Sequence, residues 1–442
     1  MKFRFGAVSM VLAFNIICFL LLCCFPGVDR VRMLIAMGII CGVIIVTYGL
    51  IYALDLGDPY PFLLVAMLSS MSIIILYSLG IQQSAQYENP AKSLITIADN
   101  QLKWFLVGIG IFYVSYIIYR IIKIWHRLTY VYMGATFVLF GVTLVLATSL
   151  GGARNWIEIG GVGIQPSEVI KLCYLFAMAS MFCKKGKLSG FKDRVIAIKK
   201  DDVIIAVFVY SCLLLFLIQG ELGTAMLFFM VYLTMMVVYD VPLAVPAINL
   251  GLAALGVLVV IVVGDRVGAF ARALDRVSIW LDPEVYNFQA ELGKPNGTQQ
   301  IYESLKAICS GGYFGTGLGV SGAHNIWVIE SDLVFSAICY EMGIFMGIAI
   351  IMTYFILAYR GCKIAMEVND SFDRALALTV ISGIACQAFI IIGGVTKMIP
   401  LTGITMPFVS AGGSSMIVSF AMLGILTAIS HKKESLQYEL TK

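Results

Sequence analysis

Charged residues are scarce in this chain. Lys, Arg, Asp and Glu make up 13% of its 442 residues, where a soluble domain carries roughly a quarter. Histidine is scarcer still: His126, His324 and His431 stand isolated in the sequence, which argues against a catalytic role for any of them. The eleven cysteines show no CxxC pairing and fall in or beside apolar runs, so they are read as packing residues rather than metal ligands or redox centres. No GK[ST] follows a glycine loop, which argues against nucleotide binding, and no nucleic-acid partner is expected. The two halves show no visible repeat, which counts against an inverted-repeat transporter.

Apolar residues take up what charge leaves free: 60% of the chain is hydrophobic, with a mean hydropathy of +0.94. They are blocky, in runs long enough to cross a hydrocarbon core of about 30 Å as helix. Twelve spans are expected, near 7–25, 33–54, 60–80, 103–124, 129–149, 166–183, 203–219, 223–240, 243–264, 332–359, 374–395 and 412–430. The fold class is therefore an all-α polytopic integral membrane protein. The start, "MKFRFGAVSMVLAF", has a basic end and an apolar stretch without a small-residue cleavage site, and reads as a signal anchor kept as the first helix.

Basic clusters orient the spans. With a cytoplasmic N-terminus, "RIIKIWHR" (120–127), 184–200, 359–374 and "HKKE" (431–434) all face the cytoplasm, as does the C-terminus. "DRVR" at 29–32 is the exception. The outer face then holds 81–102, the "GGARNWIEIGGVGIQPSE" turn (151–168), "QGELGT" (219–224), a long loop near 265–331, and "TKMIPLTGITMPFVSAGGSS" (396–415). A loop as long as 265–331 invites a functional reading.

Ionisable residues near membrane depth are costly and each needs an account. Arg154 sits in the glycine-rich turn, and Glu168 and Lys171, three apart, can pair on one helical face. Glu221 lies between glycines, either in an ordinary turn or lining a polar cavity. "SLKAICSGGYFGTGLG" holds Lys306 and Ser310 and reads as a short helix ending in a glycine hairpin, either a structural turn or a nest of N–H groups for a diphosphate. In "WVIESDLVFSAICYEMG", Asp332 reads as the N-cap or first-turn residue of the next helix, a place that keeps a carboxylate ionised. Glu341, deeper in that helix, needs a partner or a wet pocket. "PLTGITMPFVSAGGSS" cannot be continuous helix, so it must line a cavity or be buried in protein, and it carries Ser410, Ser414 and Ser415.

Five ordered blocks, "GARNWIEIGGVGIQPSEVIKL", "QGELGTA", "SLKAICSGGYFGTGLGVSG", "ESDLVFSAICYEMG" and "IPLTGITMPFVSAGGSS", resemble the SEDS family (shape, elongation, division and sporulation proteins) over about residues 60–430. The resemblance implies a ten-span core at 60–442, preceded by two extra helices within 1–59. It implies a peptidoglycan glycosyltransferase that polymerises lipid II, an undecaprenyl-diphosphate-linked substrate, at the outer face of the plasma membrane with a class B penicillin-binding protein as partner. The family's essential acid maps onto Asp332, its arginine onto Arg154, its lysine onto Lys171, and its serine–glycine run onto Ser410, Gly412, Gly413, Ser414 and Ser415. The resulting expectation is Asp332 as the catalytic residue. Arg154, Lys171, Glu221, Lys306, Ser310, Glu341, Ser410, Ser414 and Ser415 are expected on the substrate side. A divalent cation, Mg2+ or Mn2+, is a candidate companion of the diphosphate, with Asp332 as its one candidate ligand. The chain departs from the family pattern at Glu221, Glu303, Tyr340 and Ala411. The alternatives are a lipid II flippase and a non-enzymatic scaffold for the transpeptidase.

Overall fold

The computed structural model describes residues 5–86, 93–146, 148–150, 153–159, 162–185, 200–239, 244–263, 268–281 and 297–440. An N-terminal hairpin of α1 (Phe5–Cys23) and α2 (Arg30–Ala53) precedes α3 (Tyr60–Gln86), α4 (Leu94–Ile121), α5 (Thr129–Leu146), α6 (Pro166–Phe182), α7 (Lys200–Gln219), α8 (Leu222–Val238) and α9 (Ala244–Val263). Two amphipathic helices, α10 (Gly268–Leu281) and α11 (Gly297–Gly311), come before α12 (Val334–Glu367), α13 (Ser371–Val395) and α14 (Gly413–Leu440). Twelve of these helices fall on the twelve expected spans, and α10 and α11 occupy the long loop. Among the described residues, nine helices are long and apolar enough to cross a membrane by length and composition. The protein is a multi-pass membrane protein.

Burial sorts the helices. The spans of α3, α13 and α14 are more than four-fifths buried, whereas α1, α2, α5 and α7 bury about a third and turn the rest outward as apolar surface. With no water in the bilayer core, that surface is matched to lipid rather than hidden. The hairpin packs on α3, where Phe19 meets Tyr77 edge-on with centroids 6.2 Å apart. The exceptional "DRVR" segment is neutralised locally. Arg32 lies 3.8 Å from Asp29 and 4.0 Å from Asp99, and Tyr77 donates to Asp99 at 2.7 Å.

One part of the all-α expectation needs correction. The glycine-rich "turn" is an antiparallel sheet of β1 (Thr148–Leu150), β2 (Ala153–Ile159) and β3 (Val162–Ile164). Successive strands are separated by two residues, Gly–Gly in both cases, which is the loop length of tight hairpins.

Two breaks in regular structure shape the end of the bundle where α4, α6, α8, α12 and α14 begin. Helix α12 is interrupted at Gly343, whose φ of 82° and ψ of 170° are not helical. The loop after α11 fills the break. Thr316 and Gly317 donate to the freed carbonyls of Tyr340 and Glu341 at 3.0 and 2.9 Å, and Ile344 donates to Gly312 at 2.9 Å. The second irregular stretch, 396–412, joins α13 to α14, and side chains from four helices serve its backbone. Trp280 donates to Lys397 at 3.2 Å, Gln387 to Thr405 at 2.8 Å, Gln101 to Ser410 at 3.1 Å, and Tyr354 to Pro407. Non-helical backbone at this depth survives only with such partners.

Candidate active site

Asp332 stands on a strained turn. Val328, a β-branched residue, has φ +59, and its carbonyl accepts from Ser331 and Asp332, both at 3.2 Å. Such strain persists only where the surroundings over-determine it. Here they do: Ser410 Oγ donates to the Ser331 carbonyl at 2.6 Å, and Ala411 N donates to the Glu330 carbonyl at 2.9 Å. The expected capping role of Asp332 is not realised. Helix α12 starts at Val334, its N-cap is Leu333, and no side-chain cap bond is made there.

Freed from capping, Asp332 faces a cavity of ≈ 90 Å³ lined also by Arg276, Ile279, Gln300, Ile301, Leu401 and Gly403. Arg276 comes from α10 and is held in place by the carbonyls of Leu401 and Thr402. Gly403 has φ +69, and a β-carbon there would lie 3.1 Å from the Arg276 guanidinium and 3.5 Å from the Asp332 carboxylate. The left-handed backbone favours glycine there, and a β-carbon would crowd the guanidinium while making ordinary contact with the carboxylate. Burial pushes the Asp332 carboxyl up to about 6; the Ser331 hydroxyl and the Arg276 charge pull it back, and Glu330 adds to the rise. The rise runs against the hold of a helix terminus, yet it leaves the group ionised above about pH 6. A carboxyl poised near neutrality beside a fixed cation suits proton abstraction.

A second polar cluster shares the 400–412 wall. Lys171 is buried and donates to Glu168 and, at 2.8 Å, to Gln387. These residues, with Thr224, Ile404 and Thr405, surround a space of ≈ 10 Å³, about one water. Glu221 joins from the start of α8, accepting from Thr224 at 2.8 Å. The Glu168–Lys171 pairing anticipated from their spacing is present, and the lysine is already neutralised.

Glu341 lies in a third cluster. It is 1% exposed and accepts from Ser78 at 2.6 Å, from Gln82, and from Ser321 at 3.0 Å. The glycine loop beside it does not offer a free nest. Its amides at Gly315, Thr316, Gly317, Gly319 and Gly322 donate to Gly311, Tyr340, Glu341, Ser78 and Gln82, respectively. Lys306 and Ser310 are exposed on α11, and neither lines the Asp332 cavity. Ser414 accepts from the Gln165 amide at 3.2 Å and Ser415 from Thr405 at 2.8 Å, so the serine run ties α14 to its neighbours. Arg154 pairs with Ser149 through its backbone in β2; its side chain lies outside the described residues.

Arg276 and Gln387 were not anticipated from the sequence. A glutamine inside an apolar span was a usable signal for Gln387. Arg276 carried no such signal, because an arginine on an amphipathic loop helix reads as solvated.

Comparison with known proteins places the chain in a family. The model of the FtsW/RodA/SpoVE family, described as "Cell cycle protein", matches residues 59–435. The chain belongs to that family. The peptidoglycan glycosyltransferase RodA of Mycobacterium bovis is 30% identical over 386 residues, covering 85% of this chain and 78% of the relative. Stage V sporulation protein E of Bacillus subtilis is 32% identical over 281 residues, covering 63% and 72%. Among solved structures, a chain of a peptidoglycan synthase complex described as coordinating polymerization and crosslinking superposes with a TM-score of 0.63 at 23% identity, covering 85% of this chain and 98% of that one. At that identity the likeness speaks for the FtsW/RodA/SpoVE fold.

Proposed function

We propose that this family member is a peptidoglycan glycosyltransferase that polymerises lipid II at the outer face of the plasma membrane, with both termini cytoplasmic. The observation that carries the reading is the juxtaposition of Asp332 and Arg276 across Gly403 in one cavity. In the proposed reaction the Asp332 carboxylate takes the proton of the acceptor sugar's 4-hydroxyl as its oxygen attacks the donor's anomeric carbon. The new glycosidic C–O bond forms as the bond to the lipid diphosphate breaks, with inversion at that carbon. Arg276 supplies fixed positive charge for the departing diphosphate. Arg154 is proposed to assist from the β-hairpin, while Lys171, tied to Glu168, holds the cavity wall.

Mg2+ or Mn2+ enters the proposal only as a companion of the substrate's diphosphate. Among the described residues, Asp332 is the one carboxylate lining the cavity, a guanidinium already stands beside it, and no cluster of three His, Cys, Asp or Glu residues occurs. That donor set does not make a resident metal site, and no step is routed through one.

A class B penicillin-binding protein is the proposed partner, in keeping with the crosslinking named for the structural relative. Purified protein incubated with labelled lipid II in detergent tests the activity. Glycan ladders without any other polymerase support the enzyme; their absence sinks it in favour of a flippase or scaffold.

A further inference from the structure

The family match begins at residue 59, so the α1–α2 hairpin lies outside it. Yet the hairpin reaches the catalytic half of the molecule at two points. Arg32, at the start of α2, pairs with Asp99 of α4. Seven residues earlier, Phe25 in the α1–α2 turn lies flat against the glycine loop: a β-carbon at Gly319 would come within 2.6 Å of its ring. Gly319 has φ +80, so both backbone and space admit only glycine.

From Gly319 a continuous chain of hydrogen bonds runs to the break in α12. The Gly319 amide donates to Ser78 Oγ at 2.7 Å, Ser78 donates to the Glu341 carboxylate at 2.6 Å, and the Glu341 carbonyl accepts from Gly317 at 2.9 Å. Gly343, two residues on, is where α12 is interrupted. The short segment between that break and Val334 follows directly on the strained turn that carries Asp332. Its far end is thus fixed by the glycine loop, and the loop is pressed into place by Phe25.

We propose that the N-terminal hairpin is a brace for the active site, with Phe25 as a positioning residue that holds the glycine loop against the broken α12 and so fixes the orientation of Asp332. Packing on α3, with Phe19 against Tyr77, seats the brace on the core, and the exposed Arg32–Asp99 pair lies at its edge. This rests on the polymerase reading, because its consequence is a rate of glycan formation. Small misplacements of a reacting group are enough to matter, costing up to about a hundredfold per ångström.

The test uses the full chain in detergent, as wild type, Phe25→Ala and Phe25→Leu. Polymerisation of lipid II and amide hydrogen exchange over residues 312–322 are both measured. Phe25→Ala is expected to lower kcat about tenfold with KM for lipid II unchanged, and to speed exchange across the loop, while Phe25→Leu restores both. Wild-type kcat in Phe25→Ala, a loss confined to KM, or unchanged exchange would overturn the brace. If the wild type itself makes no glycan, the polymerase reading fails, and exchange alone decides: faster exchange in Phe25→Ala supports the brace, and unchanged exchange overturns it. Should Phe25→Ala fail to fold, Phe25→Val makes a smaller cut in the same contact and is read by the same exchange criterion.

Discussion

Arg276 and Asp332 approach each other over a glycine that leaves room for both: a β-carbon on Gly403 would lie 3.1 Å from the guanidinium and 3.5 Å from the carboxylate. The two residues are 56 positions apart, and each is held by a different part of the irregular wall. Arg276 bonds the carbonyls of Leu401 and Thr402, while the turn carrying Asp332 is pinned by Ser410 and Ala411. The wall therefore fixes the distance between base and cation.

That pairing predicts a pH profile. Asp332 must be ionised to accept a proton, and its carboxyl is pushed up to about 6, so polymerisation should fall as pH drops through about 6. Arg276 pulls that value down. Arg276→Gln should move the acid limb to higher pH and also lower the plateau rate by about a hundredfold through loss of charge at the leaving group. An unmoved limb in the variant would separate the two residues functionally.

The buried Glu168–Lys171 pair makes a prediction about stability. Removing one partner strands a buried charge, so Lys171→Ala should cost about 3–5 kcal/mol. Replacing both, as in Glu168→Gln with Lys171→Met, should recover most of that loss. Thermal unfolding in detergent measures both. Unchanged stability in Lys171→Ala alongside lost activity would instead assign the lysine to the substrate.

Glu341 accepts from three buried side chains, so Glu341→Ala leaves Ser78 and Gln82 without that acceptor, while Ser321 still reaches Gln82 Oε1 at 3.2 Å. Each stranded donor costs about 1–3 kcal/mol. The melting temperature should drop well below that of Glu341→Gln, which keeps one carbonyl acceptor. Equal melting temperatures would remove Glu341 from its supporting role.

Much of the fold was legible because apolar run length is a local property, and twelve helices lie where such runs occur. Helix α10 was not separated from its loop, whereas the end of α11 was anticipated as the short helix before the glycine hairpin. Arg276 escaped notice because its meaning depends on α10 packing against the backbone of Leu401 and Thr402, more than a hundred positions away. The sheet at 148–164 was masked by its glycines, which suggested a turn but in fact separate three strands. Asp332 itself was legible through its family block, while the reason for its chemistry was not. Capping explained it cheaply, and only the strained Val328 turn takes it off the helix end and into the cavity.

The central claim is tested most directly by Asp332→Asn in the lipid II polymerisation assay. Between the ordinary value of 3.8 and about 6, the raised Asp332 makes stability fall as pH rises, because the folded state keeps a proton that the unfolded state releases. The neutral asparagine relieves that cost, so the variant should insert and fold at least as well as wild type at pH 7. Its glycan synthesis should nonetheless fall by about a hundredfold or more. Glycan ladders at the wild-type rate from well-folded Asp332→Asn protein would contradict the assignment of Asp332 as the base.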